Sequence, residues 1–255
     1  MKVCVVIPSY NEKESITQLV NGIRNYFDGS EHIVNILIVD DNSPDGTAEL
    51  VRSLSINDPS IHLISRPRKM GLGSAYTDAF EWILDNLAVD AVIQMDADLS
   101  HPPQLLPQMI QVLQGGADAV VASRYSGQGG IDSWPLHRRI ISKGANFYAR
   151  TLLGVRIKDV TSGYRAFKIN VIEQLLANRL SSKGYEYQVE SIYIISNMNK
   201  NIEEVPFTFK NRREGKSKLT LKDIVRFAGI VLALRFRSPV NADQRMLINN
   251  EPKRR

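Results

Sequence analysis

Apolar runs and stretches of helical periodicity alternate along the first half of the chain. Unbroken apolar runs are typical of strands that are covered on both faces. They predict strands at residues 3–7, 36–39, 61–64, 91–95 and 119–122. Apolar residues at helical spacing predict helices at residues 14–27, 46–54, 71–87 and 103–113. The alternation favours an α/β fold with a mostly parallel twisted sheet and helices on both faces.

The second half of the chain has a less regular pattern. Its predicted elements are helices at 138–153, 188–199 and 221–237 and a strand at 205–209. No internal repeat and no linker rich in Pro, Gly or Ser divides the sequence. We therefore expect one main domain over residues 1–220, followed by an amphipathic helix and a basic tail over residues 221–255.

Composition indicates an ordinary globular protein with a sizeable core. The 255 residues are 43% hydrophobic, and the one cysteine, Cys4, lies inside the first apolar run. An intrachain disulfide is therefore excluded, which fits a reducing compartment. The chain starts without a secretory signal pattern, and no apolar stretch approaches the ~20 residues of a membrane span. We expect a cytoplasmic protein.

The positive charge is concentrated near the C-terminus. Residues 210–255 hold 13 Lys and Arg against 4 Asp and Glu, whereas the rest of the chain is mildly acidic. This asymmetry indicates an anionic partner, either a phosphate-bearing substrate, an anionic membrane surface or nucleic acid. The nucleic-acid interpretation is disfavoured because no nucleic-acid-binding motif is present and aromatic residues make up only 7%. For residues 241–255 we prefer a solvated tail.

Two aspartates, Asp96 and Asp98, follow the predicted strand at 91–95. Open α/β sheets bind ligands outside the carboxyl ends of their strands. Two neighbouring carboxylates repel each other unless a cation lies between them, and Mg²⁺ takes oxygen ligands together with substrate phosphates. The pair therefore suggests a metal and diphosphate site. The alternative is a strand-end Asp and a helix cap before Pro102 and Pro103.

Two further polar loops follow predicted strands at the same edge. They are Pro-Ser-Tyr-Asn-Glu at 8–12 and Val-Asp-Asp-Asn-Ser-Pro-Asp-Gly-Thr at 39–47. Tyr10 could stack on a nucleotide base, and Glu12 and Asp41 could accept hydrogen bonds from its ring nitrogens or ribose hydroxyls. The alternative is turn chemistry, because Asn, Ser, Pro, Asp and Gly all favour turns.

Several candidate phosphate-binding cations lie elsewhere in the sequence. Arg124 follows the fifth predicted strand, and Arg138 and Ser142 share a helix face at i, i+4 spacing, where they could clamp a phosphate. The Gly-rich stretch 66–73 and the cationic loop 212–218 could approach a diphosphate, the second as a lid. An exposed basic helix, a tight helix entry and a solvated loop are the alternatives.

The remaining polar motifs leave the chemistry more open. Aromatic and charged residues mix at 159–167 and 185–190, where Arg165 and Glu190 could form a buried structural pair. The four histidines are scattered, and no Ser-His-Asp or cysteine-cluster pattern occurs. These observations argue against acyl transfer and against zinc chemistry.

Taken in order and spacing, the motifs resemble the family-2 glycosyltransferases of the GT-A fold. Within them the sequence is most similar to the polyprenyl-phosphate (dolichol-phosphate) mannosyltransferases, over about residues 1–220. The motifs that carry the resemblance lie at 8–12, 39–47, 66–73, 95–103, 123–125, 161–165 and 212–218. Many relatives carry transmembrane helices after the catalytic domain, and this chain resembles the branch without them.

The resemblance implies a GDP-mannose donor, a Mg²⁺ or Mn²⁺ ion and a polyprenyl phosphate acceptor. The positions that match the nucleoside pocket are Pro8, Tyr10, Glu12, Val39 and Asp41. Those that match the diphosphate and metal motif are Asp96, Ala97 and Asp98, with Ser100 as a further metal position. Cations around the diphosphate and sugar match Arg124, Arg212 and Lys218, with Asp98 and Arg124 as the catalytic pair. The positions that match the site of the lipid phosphate are Arg138 and Ser142.

This interpretation implies an inverting transfer without a strong general base, because an acceptor phosphate is already ionised at neutral pH. The helix at 221–237 could lie on a membrane or dock on a membrane-anchored partner, with the protein peripheral at the cytoplasmic face; ordinary core packing is the alternative. Two competing functions remain open: a transferase using a UDP-sugar donor or a saccharide acceptor, and a non-catalytic subunit that binds a nucleotide sugar or lipid phosphate.

Overall fold

The computed structural model describes residues 1–132, 134–178, 180–210 and 221–236. The strands are β1 (Lys2–Ser9), β2 (Ile33–Asp40), β3 (Ile61–Ser65), β4 (Ala91–Gln94), β5 (Ala119–Ser123), β6 (Gly130–Ile131), β7 (Arg165–Lys168), β8 (Ile202–Pro206) and β9 (Thr208–Phe209). The helices are α1 (Lys13–Phe27), α2 (Thr47–Asn57), α3 (Leu72–Asn86), α4 (Leu106–Gln114), α5 (Leu136–Leu153), α6 (Ile169–Ala177), α7 (Tyr187–Ser196) and α8 (Leu221–Phe236). A single 3₁₀ turn, Pro103–Leu105, precedes α4.

The main sheet has seven strands in the order β3-β2-β1-β4-β7-β5-β8. Only β7 runs antiparallel to its neighbours, β4 and β5, among the pairings of this sheet in the described residues. The predicted mostly parallel α/β sheet is therefore confirmed. Neither β7 nor α6 was predicted, because a short strand with Arg165 and Lys168 at its ends lacks an apolar run.

Both faces of the sheet are buried, which explains the unbroken apolar runs. In β1, Val3, Val5 and Ile7 pack on the α1 and α4 side, while Cys4 and Val6 pack on the α3 and α6 side. Burial raises the pKa of the Cys4 thiol well above its usual value. The thiol is therefore an inert part of the core.

The strand predicted at 205–209 is divided in two. β8 pairs with β5 as far as Pro206, opposite Ser123, and the Phe207 N–H then donates to the Ser123 carbonyl. The Phe207 carbonyl instead accepts the N–H of Gly130 in the small β6-β9 sheet. The single-strand prediction was wrong because the chain passes here from one sheet to another.

Helix α8 packs against the body of the protein through one narrow stripe. Val231 and Leu234 are buried in a cluster with residues of α5 and α7, whereas Val225, Leu232 and Phe236 are exposed. Within the described residues, no helix has both the length and the apolar character that crossing a bilayer requires. The domain division at residue 220 stays a prediction.

Candidate active site

The loops after β1, β2 and β4 lie side by side at one edge of the main sheet. These neighbouring strands are parallel, so their carboxyl ends meet there. Hydrogen bonds join the first two loops directly: the Asp41 N–H donates to the Ser9 carbonyl at 3.1 Å and the Asn11 N–H to Ser43 Oγ at 2.9 Å. The acidic loop after β4 therefore opens into the same crevice as both polar loops, where such sheets bind ligands.

A side chain of the acidic loop hydrogen-bonds to the backbone of the same loop. Asp98 Oδ1 accepts the Ser100 N–H at 3.0 Å, and Leu99 between them has a φ of 62°, a left-handed conformation that is uncommon for a leucine. The 3₁₀ turn that follows begins at Pro103, and its cap residue, Pro102, makes no side-chain capping bond. The helix-cap interpretation of the acidic motif is thus not what the structure shows.

His101 contacts both the backbone and the carboxylate of the other aspartate, Asp96. Its Nδ1 accepts the backbone N–H of Asp96 at 3.0 Å, and its Nε2 lies 3.6 Å from Asp96 Oδ2. The imidazole is buried, stacks on Tyr164 with ring centroids 4.8 Å apart and meets the edge of Phe207. Sequence reasoning treated the histidines as scattered; the position of His101 directly after the acidic motif was the available signal.

The first polar loop presents an aromatic ring and a carboxylate. Tyr10 is 39% exposed, and Lys69 Nζ lies 4.5 Å from its ring centroid. Glu12 is half-buried, and its Oε2 accepts the Ser15 hydroxyl at 3.0 Å. Lys69 was not predicted as a site residue, although it lies within the Gly-rich motif. The exposed ring and its lysine suit a base beside a phosphate.

Three predicted pocket positions are buried or half-buried. Pro8 is half-buried at the end of β1, Val39 is fully buried in the core beside α3, and Ala97 is buried in the acidic loop. The side chain of Val39 therefore packs beneath the loops in this structure rather than on an open surface. Their proposed contacts with a nucleotide stay predictions.

Asp41 is paired with a buried arginine. Asp41 Oδ1 lies 3.1 Å from Nε of Arg66, which donates from its Nη2 to Ser74 Oγ at 2.6 Å. Burial raises the pKa of the Asp41 carboxyl, although Arg66 opposes that shift. The neighbouring Asp40, missed from the sequence, is fully buried and accepts the N–H and hydroxyl of Ser43. These contacts join the second loop to the end of β2 and, through Arg66, to α3.

The glycines of the motif at 66–73 serve a close backbone contact. Gly71 has a φ of 101°, and a Cβ there would stand 2.3 Å from the Lys183 carbonyl oxygen. A Cβ on Gly73 would stand 2.2 Å from the Ser182 carbonyl oxygen, and the Gly73 N–H donates to the Lys183 carbonyl. Because that N–H already has a partner, the structure supports a tight helix entry rather than a phosphate cradle.

Arg124 is part of a buried ion pair. Its Nε and Nη2 donate to the two carboxylate oxygens of Asp159 at 2.7 Å each, and Nη2 also donates to Thr161 Oγ1. Burial alone would raise the pKa of Asp159, but the charge and hydrogen bonds of Arg124 hold it below its usual value. The pair fixes the direction of the Arg124 guanidinium. Asp159 was not predicted as its partner because it lies 35 residues from Arg124 in the sequence.

Helix α5 bears the predicted acceptor-phosphate residues. The Arg138 guanidinium carbon lies 3.8 Å from the Trp134 ring centroid, and Ser142 Oγ accepts the Tyr125 hydroxyl at 2.7 Å. Beside them, a pocket of about 530 Å³ opens between α5 and the β5–β6 loop. Its charged lining is entirely cationic: Arg124, Arg139, Lys143, Arg150 and Lys158. An anion is the ligand that such a wall attracts.

The two motifs left open by the sequence have structural partners. Arg165 is fully buried and donates to Ser191 Oγ at 2.8 Å and to the Val160 carbonyl at 2.9 Å. Burial lowers the pKa of Arg165 to about 10. Glu190 accepts hydrogen bonds from the backbone N–H groups of Ser181 and Ser182. Its carboxylate therefore stabilises the loop before α7.

The acidic loop carries oxygen donors for a divalent cation, which a bound diphosphate would also help to coordinate. Ser100 is 1% exposed, and its Oγ has no hydrogen-bond partner within the described part of the chain. This oxygen and the two carboxylates are the hard donors that a divalent ion prefers. Within that part, no group of three or more His, Cys, Asp and Glu side chains is arranged to hold a metal ion, at the acidic loop or elsewhere. Two predicted cations, Arg212 and Lys218, lie outside the described residues.

A mostly parallel sheet with polar and acidic loops at the carboxyl ends of its strands is the arrangement that the sequence motifs predict for a glycosyltransferase of the GT-A type. Residues 4–176 match the family model described as glycosyl transferase family 2. The chain therefore belongs to glycosyltransferase family 2, as the sequence motifs indicated, and is an enzyme of that class.

Curated relatives cover most of the chain. It is 39% identical over 221 residues to the polyprenol monophosphomannose synthase of Mycolicibacterium smegmatis, covering 86% of this chain and 82% of that protein. It is 37% identical over 220 residues to the undecaprenyl-phosphate mannosyltransferase of Micrococcus luteus, covering 86% and 88%.

Solved structures share the fold at low sequence identity. Mannosyl-3-phosphoglycerate synthase from Rubrobacter xylanophilus matches with a TM-score of 0.66 at 19% identity, over 100% of this chain and 77% of that one. Glucosyl-3-phosphoglycerate synthase from Mycobacterium tuberculosis, in complex with Mn²⁺, UDP-glucose and glycerol 3-phosphate, matches with a TM-score of 0.62 at 17% identity, over 91% and 78%. These likenesses confirm the predicted fold class.

Proposed function

We propose that this glycosyltransferase moves mannose from GDP-mannose to a polyprenyl phosphate, with inversion at the anomeric carbon and with help from a divalent cation. The observation that carries the proposal is that the loops after three adjacent parallel strands meet at one sheet edge. Asp96 and Asp98 lie in the loop after β4, and Tyr10 and Glu12 lie in the loop after β1. The names of two relatives that each span 86% of the chain support the mannosyl donor and the lipid phosphate acceptor.

The donor would lie across the crevice from the first loop to the acidic loop. Tyr10 would stack on the base, and Glu12 and Asp41 would meet the base or ribose. The diphosphate would lie at Asp96 and Asp98, with Ser100 Oγ as a third oxygen donor for a Mg²⁺ or Mn²⁺ ion. When bound, that ion neutralises charge on the departing nucleoside diphosphate.

The acceptor would enter from the cationic pocket beside α5. Arg138 and Ser142 would hold its phosphate, and Arg124 would face it with a direction fixed by Asp159. An ionised phosphate oxygen is already a nucleophile, so the protein has to position it and stabilise charge rather than remove a proton. Attack from the side opposite the diphosphate inverts the anomeric centre.

A transfer assay with polyprenyl phosphate and a panel of nucleotide sugars tests the proposal. We expect mannosyl phosphate lipid from GDP-mannose, and no product in EDTA. Asp98→Asn should lose at least a hundredfold in kcat/KM, because a charge that binds the cation is removed. Asp28→Asn is the matched control, since this exposed residue ends α1 at the opposite edge of the sheet.

Four results would contradict this function. Preferred use of a UDP-sugar would reject the donor, and preferred glycosylation of a free saccharide would reject the acceptor. Full activity in EDTA would reject the role of the cation. Binding of GDP-mannose without any turnover would favour a non-catalytic subunit.

We further propose that α5 and α8 lie on a membrane surface. Seven of the fourteen large hydrophobic side chains that are exposed in the described residues belong to these two helices. On α5 they are joined by cations and by no carboxylate, since its sequence contains neither Asp nor Glu. An apolar face with basic neighbours favours an anionic lipid surface, which would bring the lipid substrate to Arg138 and Ser142.

Co-sedimentation with vesicles tests this orientation. Ile140 and Phe147 on α5 are 61% and 70% exposed, whereas Ile56 on α2 is 83% exposed and serves as control. Burial of each side chain in the interface is worth about 2 kcal/mol, so Ile140→Ser or Phe147→Ser should weaken binding to phosphatidylglycerol vesicles about thirtyfold. Equal binding of these variants and Ile56→Ser would reject the surface.

A further inference from the structure

Two motifs without an assigned role meet at the acidic loop. One contains Gly163, in the loop before β7, and the other contains Gln188, in the first turn of α7. A Cβ placed on Gly163 would stand 3.3 Å from Gln188 Nε2, 3.6 Å from Asp96 Oδ1 and 3.6 Å from His101 Cε1. The absence of a side chain at Gly163 therefore leaves a small space into which an amide and a carboxylate both point.

The Gln188 amide is buried without a hydrogen-bond partner among the described residues. Gln188 is 3% exposed, and neither its Nε2 nor its Oε1 makes a hydrogen bond within the described part of the chain. Most buried polar side chains are paired, and an exception indicates a ligand, a water or a strained site. The flanking residues hold the turn in place: the Tyr187 hydroxyl accepts the Gln94 amide N–H at 2.7 Å, and the Ser191 hydroxyl donates to the Tyr187 carbonyl at 2.8 Å.

The chemistry of the two groups selects the ligand atom that fits between them. A carboxylate accepts hydrogen bonds only, while an amide both donates and accepts. A phosphate oxygen in direct contact with Asp96, with no cation between them, would be repelled, and an apolar group would leave the Gln188 amide unpaired. A hydroxyl can donate to Asp96 Oδ1 and accept from Gln188 Nε2 at the same time. The site next to the diphosphate position is where the transferred sugar carries its hydroxyls.

We propose that Gln188, acting with Asp96 across the space at Gly163, binds a hydroxyl of the transferred hexose and so discriminates among donor sugars. This inference rests on the proposed function, because it takes the ligand to be a nucleotide sugar. It assigns the sugar contact to α7, which no other part of the donor site uses.

The test measures donor binding by calorimetry with GDP-mannose, its four monodeoxy analogues on the sugar, and GDP, all with Mn²⁺. We expect Gln188→Met to weaken GDP-mannose at least tenfold, the cost of an unmade buried hydrogen bond, and to leave GDP within twofold. One deoxy analogue should bind the wild type and Gln188→Met equally, because the variant no longer contacts the hydroxyl that this analogue lacks. Gln111→Met, exposed on α4, is the matched control.

Gly163→Ala provides a second, independent variant. Gly163 has no left-handed φ, so alanine is compatible with its backbone, and the added methyl would occupy the proposed hydroxyl position. We expect it to weaken GDP-mannose and to spare GDP. Gly144→Ala, where a Cβ would meet nothing within 4 Å, is its control.

The outcomes separate this inference from the proposed function. If Gln188→Met weakens the binding of every deoxy analogue by the same factor as it weakens GDP-mannose, the two changes are additive. That result would reject the hydroxyl contact, even if mannose transfer is observed. Equal loss of GDP and GDP-mannose would also reject it, as would a wild type that binds no nucleotide sugar. Non-additive binding without transfer to polyprenyl phosphate would reject the proposed acceptor and retain the sugar contact. Because the amide makes no hydrogen bond to any described residue, the melting temperature of Gln188→Met should not fall.

Discussion

Replacing Asp159 by asparagine should destabilise the protein strongly, because it leaves the Arg124 guanidinium charged and buried. Asp159 is 0% exposed and Arg124 9% exposed, and two 2.7 Å hydrogen bonds join them. Removing one partner of a buried ion pair costs about 3–5 kcal/mol. We expect Asp159→Asn to lower the free energy of unfolding by an amount in that range, measured by urea denaturation at pH 7.

A surface pair provides the control. Glu49 and Arg52 on α2 lie 3.2 Å apart with side chains 71% and 55% exposed, and such pairs contribute about 0–1 kcal/mol. Glu49→Gln should therefore change the free energy of unfolding by less than about 1 kcal/mol. Equal effects of Asp159→Asn and Glu49→Gln would refute the reasoning from burial.

The same pair predicts a direction for the pH dependence of stability. The pKa of Asp159 is lower in the folded protein than its usual value, since Arg124 and its hydrogen bonds outweigh burial. The unfolded state therefore binds more protons at acid pH, and stability falls as pH drops below the usual Asp pKa of about 4. Wild type should lose stability there more steeply than Asp159→Asn. Parallel pH curves would contradict the assigned shift.

Three further predictions concern other parts of the structure. Gly71→Ala should destabilise by about 2 kcal/mol or more, because its φ is 101° and the Cβ would stand 2.3 Å from the Lys183 carbonyl; unchanged urea denaturation would argue against that contact. Leu234→Ala should lower the free energy of unfolding by about 2–3 kcal/mol and Leu232→Ala by less than about 0.5 kcal/mol, because only Leu234 is buried. Similar losses for the two variants would mean that α8 does not pack against the protein as described. Mn²⁺ with GDP should raise the wild-type melting temperature and leave that of Asp98→Asn nearly unchanged; an equal rise in the variant would exclude Asp98 from the cation site.

Local patterns were sufficient for much of the fold. The apolar run of β1 is continuous because both of its faces are buried, and the pattern of α1 matches its buried residues, Ile16, Leu19, Val20, Ile23 and Phe27. The same logic applied to the acidic motif, since a polar loop directly after a buried strand has to lie at a strand end. Burial and strand direction leave a periodic trace in the sequence, and so they could be inferred without coordinates.

The partner of each polar group was decided only by the tertiary structure. Arg124 and Asp159 are 35 residues apart, and Gln94 and Tyr187 are 93 apart. The short strand β7, which starts at Arg165, enters the sheet between β4 and β5 although its own residues form no apolar run. Hydrophobic periodicity reports which side of an element faces the core, whereas pairing depends on which elements the whole chain brings together. For this reason the polar and acidic loops at the sheet edge were predicted from the sequence, while the ion pair of Arg124 with Asp159 and the space beside Gly163 were found only in the folded chain.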